Sequence, residues 1–258
     1  MLDLSTPQVM GILNVTPDSF YAGSRLQTDA DIAARAEQIL SEGGTMIDVG
    51  GCSTRPGAGF VPVEEEKERV RRALRVVRSV SADVPVSVDT FRSEVARLAV
   101  EEWGADIVND VSGGEMDGEM FPTVARLRVP YVLTHNRECG ELMPEVILYF
   151  SRRVQELRDM GHNDIILDPG YGFSKSLRQN FLLLSRLEEL MIHELPLLVG
   201  VSRKSMVYRT LDVSPSEALN GTTVLNTVAL MMGASILRVH DVRECVEAVR
   251  LVRELQRE

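Results

Sequence analysis

Short apolar runs recur eight times along the chain, each followed by a polar loop and then a stretch with helical spacing: QVMGIL, TMIDV, PVSVD, DIVN, YVLT, IILD, PLLVG and SILRV. Strands buried on both faces have this short, almost continuously apolar character. The alternation of strand and helix is that of a parallel sheet with crossover helices. Two architectures fit, an open doubly wound sheet and a closed barrel. Eight units in 258 residues favour closure, because a barrel has no edge strands to protect. No linker or low-complexity stretch interrupts the alternation. The expectation is an α/β protein, a (β/α)8 TIM barrel forming a single domain over residues 1–258.

Helix punctuation agrees. Thr28 or Asp29 can cap a first helix that runs to Glu42 and stops at Gly43 and Gly44. A second helix, from Val63 to Val80, follows Pro62 and opens with Glu64, Glu65 and Glu66 at the positive end of its dipole. With Arg69 to Arg78 further along, these charges read as a solvated helix face.

Net charge is −10, with the charges interspersed. That disfavours a nucleic-acid or anionic-membrane binder but leaves room for a local cationic pocket. Cys52, Cys139 and Cys245 lie far apart with no CxxC pair, so neither a disulfide framework nor a zinc site is expected, and a reducing cytoplasm fits. The first residues lack a secretory pattern and no segment is apolar enough to span a bilayer, so neither secretion nor a membrane location is expected.

At or just past the C-terminal end of each strand stands a chemically capable residue: Asn14, Asp48, Asp89, Asn109, His135, Asp168, Ser202 and His240. A barrel gathers such positions into one site, although any one of them is equally at home as a helix cap or turn residue. Asp48, between an apolar strand and Gly50-Gly51, reads as structural. The carboxamide oxygen of Asn14 suits Mg²⁺. Arg55, in a glycine-rich loop with Thr54 and Pro56, offers a planar fork for phosphate oxygens. Ser202-Arg203-Lys204-Ser205 supplies two cations and two hydroxyls after the seventh strand, where barrels often bind phosphate. Arg238 and His240, two apart, project to the same side and with Arg55 and Asn14 define a diphosphate corner. Asp89, Asn109, Asp168 and Lys204 offer the donors and acceptors that a flat, nitrogen-rich heterocycle requires. Two carboxylates alone would equally suit a metal or an acid–base pair.

The segments MGILNVTPDSF, IDVGGCSTRPGA, VSVDTFR, VNDVSGG, LDPGYGF, VGVSRKSM and NGTTVLNTVALMMGASILRVHDVRE, in this order, resemble the dihydropteroate synthase family over nearly the whole chain. The resemblance implies a transferase of folate biosynthesis that joins a pterin diphosphate to p-aminobenzoate, with sulfonamides as competitors. It implies Asn14 on Mg²⁺ and diphosphate, and Arg55, Arg238 and His240 on the diphosphate oxygens. Asp89, Asn109, Asp168 and Lys204 would hold the pterin. Thr54, Pro56, Phe173 and Ser202 would form the p-aminobenzoate pocket, and the last helices a homodimer. Two places depart from the family pattern: Thr134-His135-Asn136-Arg137 stands where a Met-His-Met-type segment is usual, and Ser174 replaces a glycine. A corrinoid-dependent methyltransferase barrel and a non-catalytic pterin-binding paralogue remain as alternatives.

Overall fold

Eight strands run parallel around a ring: β1 (Gln8–Asn14), β2 (Met46–Gly50), β3 (Val86–Asp89), β4 (Ile107–Asp110), β5 (Tyr131–Thr134), β6 (Ile165–Asp168), β7 (Leu198–Val199) and β8 (Ile236–Val239). The computed structural model describes residues 2–16, 28–52 and 61–256. The hydrogen-bonded order is β6-β5-β4-β3-β2-β1-β8-β7, and a parallel bridge between Leu167 and Leu197 joins its two ends. The expected (β/α)8 barrel is therefore present as one domain. Around it lie α1 (Asp29–Ser41), α2 (Val63–Val80), α3 (Ser93–Glu101), α4 (Met120–Leu127), α5 (Leu142–Asp159), α6 (Leu177–Ser185), α7 (Ser205–Leu211), α8 (Leu219–Met231) and α9 (Val242–Leu255). Among the described residues no helix is long and apolar enough to cross a membrane.

The barrel interior is set by strand parity. Met10, Met46, Ile107, Val132, Ile166, Leu198 and Ile236, one from every strand except β3, form a buried cluster of their own, against which Leu2 and Leu4 pack. The alternate residues, such as Ile47, Val108, Leu133, Leu167 and Leu237, belong to the larger core shared with the helices. Side chains alternate faces along a strand, so positions an even number of residues beyond the inner layer also point inward. At the C-terminal ends of the strands those positions turn polar.

The helices begin and end as their caps dictate. Thr28 closes a capping box with Asp31 at the start of α1. After α1 the chain turns at Gly43, with φ +91°, and the Gly44 N–H bonds Ile39 O at 2.8 Å. Helix α2 has the expected bounds, but its acidic start is not all solvated. Glu66 is fully buried. It accepts a hydrogen bond from Thr90 Oγ1 at 2.6 Å and pairs with Arg92, whose Nη2 bonds Val61 O at 2.7 Å. The reason is helix phase: Glu66 shares the inward stripe of Val70, Ala73, Leu74 and Val77.

Candidate active site

Parity carries Asn14, Asp48, Asn109, Asp168 and Arg238 inward, because each lies two or four residues beyond a member of the inner apolar layer. Asp89 joins them as the register partner of Asn109. Asn14 ends β1 beside Gly50, with the Val15 N–H on Gly50 O at 2.9 Å. A Cβ at Gly50 would lie 2.8 Å from Asn14 Oδ1, so the glycine leaves room for the carboxamide.

Across the barrel, Arg238 Nε donates to Asp48 Oδ2 at 2.7 Å and its Nη2 to Asp89 Oδ2 at 2.8 Å. Asp48 also lies 3.3 to 3.4 Å from Asn109 Nδ2, and its structural reading thus takes a definite form as the buried anchor of Arg238 and Asn109. Asn109 Oδ1 is buried without a partner among the described residues. Two carboxylates share one guanidinium. Burial pushes the Asp89 carboxyl up, Arg238 opposes, and the nearby Asp48 charge adds to the rise, leaving it at about 7. Burial works against the Arg238 cation, but Asp48 and Asp89 outweigh it and hold its pKa above the ordinary value.

A second group forms where β6 meets the turn after β7. Asp168 Oδ1 accepts the Gly170 N–H at 2.8 Å, and burial raises its pKa against the attraction of Lys204. Lys204 Nζ donates to Tyr171 O and lies 4.6 Å from the centroid of the Phe173 ring. Burial lowers its pKa to about 8, with Asp168 opposing. Asp168, Phe173 and Lys204 are thus brought together. Sequence reasoning passed over Lys175, whose Nζ bonds the carbonyls of His135 at 3.0 Å and Gly170 at 3.1 Å. Burial lowers its pKa to about 8 as well.

The two departures from the family pattern touch one another. Ser174 adopts φ +48°, a conformation that favours the glycine it replaces, and its Oγ donates to Asn136 Oδ1 at 2.9 Å.

The turn after β7 divides its cations. Arg203 does not serve the barrel mouth: its Nε and Nη2 bond the Asp241 carboxylate at 3.0 and 2.7 Å, and its Nη1 bonds the carbonyls of Pro215 and Ser216. Of the two cations expected there, Lys204 alone points into the collar. Ser202 Oγ lies 3.1 Å from both the backbone nitrogen and the ring Nδ1 of His240. Arg238 and His240 therefore turn to different partners, the first to carboxylates and the second to a hydroxyl.

The set of eight strand-end residues holds except at β5. His135 lies three residues beyond Val132, so its ring points outward, packed edge-on to Tyr149 with centroids 4.8 Å apart. Burial, helped by Lys175, lowers its pKa to about 3, which keeps the ring neutral. Thr134, two beyond Val132, takes the inward position. Thr54, Arg55 and Pro56 lie outside the described residues.

The pterin binding enzyme family matches residues 10–240. The chain belongs to this family. Its relatives include the dihydropteroate synthase of Escherichia coli (strain K12), 43% identical over 97% of this chain and 92% of its own length. The structure of Yersinia pestis dihydropteroate synthase with a sulfonamide drug superposes with a TM-score of 0.93 at 39% identity, covering 99% of this chain and 96% of that one. Xanthomonas albilineans dihydropteroate synthase, solved with 4-aminobenzoic acid, gives a TM-score of 0.92 at 37% identity over 100% of this chain and 96% of that one. The family thus agrees with the sequence motifs, and the polar collar stands at the barrel face where such enzymes keep their sites.

Proposed function

We propose that this chain is a dihydropteroate synthase, condensing 6-hydroxymethyl-7,8-dihydropterin diphosphate with p-aminobenzoate to give 7,8-dihydropteroate and diphosphate in folate biosynthesis. The observation that carries the reading is the collar of Asp89, Asn109, Asp168 and Lys204 facing inward at the strand ends, in a chain of the pterin binding family. A pterin presents a flat edge of alternating donors and acceptors. Buried acceptors such as Asn109 Oδ1 and the Asp168 carboxylate, with the Lys204 ammonium, replace the hydrogen bonds that edge loses with water.

Arg55, Arg238 and His240 grip the diphosphate in this reading, and Thr54, Pro56, Phe173 and Ser202 line the p-aminobenzoate pocket. The bond from the pterin methylene carbon to the diphosphate oxygen breaks, its electron pair leaving with diphosphate. The positive charge on that carbon spreads into the pterin, and the Asp89 carboxylate stabilises it. The neutral amine of p-aminobenzoate then attacks the carbon and loses a proton. No protein nucleophile is required.

Mg²⁺ fits the residues present. The Asn14 carboxamide oxygen lies close over Gly50, 2.8 Å from where a Cβ there would stand, and one neutral oxygen suits an ion that keeps several waters while contacting substrate phosphates. Asn14 is the residue that would hold it. Mg²⁺ held there would supply positive charge against the diphosphate.

The test is diphosphate release from purified protein given the pterin diphosphate and Mg²⁺, with and without p-aminobenzoate, following dihydropteroate by chromatography. Product that requires both substrates supports the synthase; a folded protein that binds the pterin without turnover overturns it in favour of the non-catalytic paralogue. Arg55→Ala should lower turnover on the order of a hundredfold or more, and near-normal turnover would remove Arg55 from the diphosphate grip.

Sulfonamides compete with p-aminobenzoate in this reading, and the protein works in the cytoplasm as a homodimer. Exposed Val224 and Met231 on α8 and Leu251 and Leu255 on α9 support a dimer built on the last helices. Light scattering that gives a monomer mass at working concentration would overturn it.

A further inference from the structure

We infer that Ser202 is a positioning residue that fixes the tautomer of His240, making Nε2 the ring nitrogen that carries hydrogen. Ser202 is 4% exposed and reaches from the turn after β7 to the residue just beyond β8. Its Oγ accepts the His240 backbone N–H at 3.1 Å. Among the described residues, the only acceptor that its own hydroxyl hydrogen meets is the ring Nδ1, also at 3.1 Å. A hydrogen on Nδ1 of the neutral ring would face that hydroxyl hydrogen or strand it as a buried donor without an acceptor, which proteins avoid. The hydroxyl therefore donates to Nδ1, and the single hydrogen of neutral imidazole resides on Nε2.

The backbone around the ring is fastened to match. Arg35 Nη2 bonds His240 O at 2.7 Å, and Arg203 grips the carboxylate of the next residue, Asp241. With its N–H, its carbonyl and Nδ1 all engaged by protein groups, His240 is held from behind. Its side chain is half-buried. This inference rests on the proposed function in one respect, that the ligand there is an anion. An Nε2–H donates to a diphosphate oxygen, whereas the other tautomer would turn a lone pair toward it. Ser202 then acts on diphosphate through His240, a role distinct from lining the p-aminobenzoate pocket.

The test reads the tautomer directly. Ring nitrogens of the four histidines are labelled with nitrogen-15 in the full-length protein without substrates, and His240 is assigned from the signals lost in His240→Gln. The expected wild-type spectrum has hydrogen on Nε2 and a lone pair on Nδ1. Ser202→Ala should mix the tautomers and lower kcat by about tenfold or more, and Ser202→Thr, which keeps the hydroxyl, should restore both the single tautomer and kcat. Hydrogen on Nδ1 in the wild type overturns the inference even if the alanine variant fails to fold. So does an unchanged tautomer in folded Ser202→Ala. A wild type with the expected tautomer but no diphosphate release supports the assignment while removing the proposed reaction, so the two failures are distinguishable.

Discussion

Arg238 and Asp89 meet across the barrel mouth at 2.8 Å, and the same guanidinium is anchored at its other edge by fully buried Asp48. Asp48→Ala would leave Arg238 Nε and Asn109 Nδ2 without their acceptor. Two buried donors stripped of a carboxylate should cost about 3 kcal/mol of stability. Urea unfolding of the variant measures this, and a loss below about 1 kcal/mol would mean that water or Asp89 takes over the vacated role.

The raised Asp89 pKa has a definite sign in stability. Its folded value of about 7 lies above an ordinary 3.8, so between those values the folded state holds a proton that the unfolded chain releases. The contribution of this group is fully present below the lower value and is lost as pH rises through the higher one. Asp89→Asn removes the titration. The variant should therefore gain on wild type as thermal unfolding is moved from about pH 4 to about pH 8. A difference between the two proteins that stays flat over that range would show that Arg238 keeps Asp89 ionised throughout.

Glu66 carries the third prediction. Its carboxylate is fully buried between Thr90 and Arg92, and Arg92 in turn holds the carbonyl of Val61. Glu66→Ala removes the buried carboxylate from both Thr90 and Arg92 and should cost roughly 3 to 5 kcal/mol. Chemical denaturation settles the point, since a solvated surface glutamate would cost less than about 0.5 kcal/mol.

What could be read in the sequence, and what could not, follows from these cases. Strand existence and barrel closure were legible because eight apolar runs repeat with helices between them, and YVLT and IILD coincide with β5 and β6. The inward collar was legible in part, since the same parity that buries Met46 and Ile236 carries Asp48 and Arg238 inward. Counting from Val132 would have turned His135 outward as well, and helix phase would have set Glu66 beside Val70. Pairings were not legible. Nothing local in SRKS says that Arg203 spends itself on Asp241 while Lys204 turns to Tyr171, because both partners are brought in by other strands.

Gly170 sits beside Asp168 where the ends of β5 and β6 meet. Its φ is +74°, and an added Cβ would stand 2.0 Å from His135 O. That neighbour is backbone, fixed by the His135 N–H on Asp168 O at 2.9 Å and by Lys175 Nζ, which bridges the carbonyls of His135 and Gly170. Alanine must therefore push the ends of β5 and β6 apart, and Asp168 moves with them because its Oδ1 depends on the Gly170 N–H. Gly170→Ala should lose about 3 kcal/mol or more of stability and weaken pterin binding beyond what the stability loss accounts for. Calorimetric titration with the pterin, at a temperature where the variant is folded, separates these effects. Wild-type affinity there would mean that Asp168 is placed by Lys204 rather than by the turn.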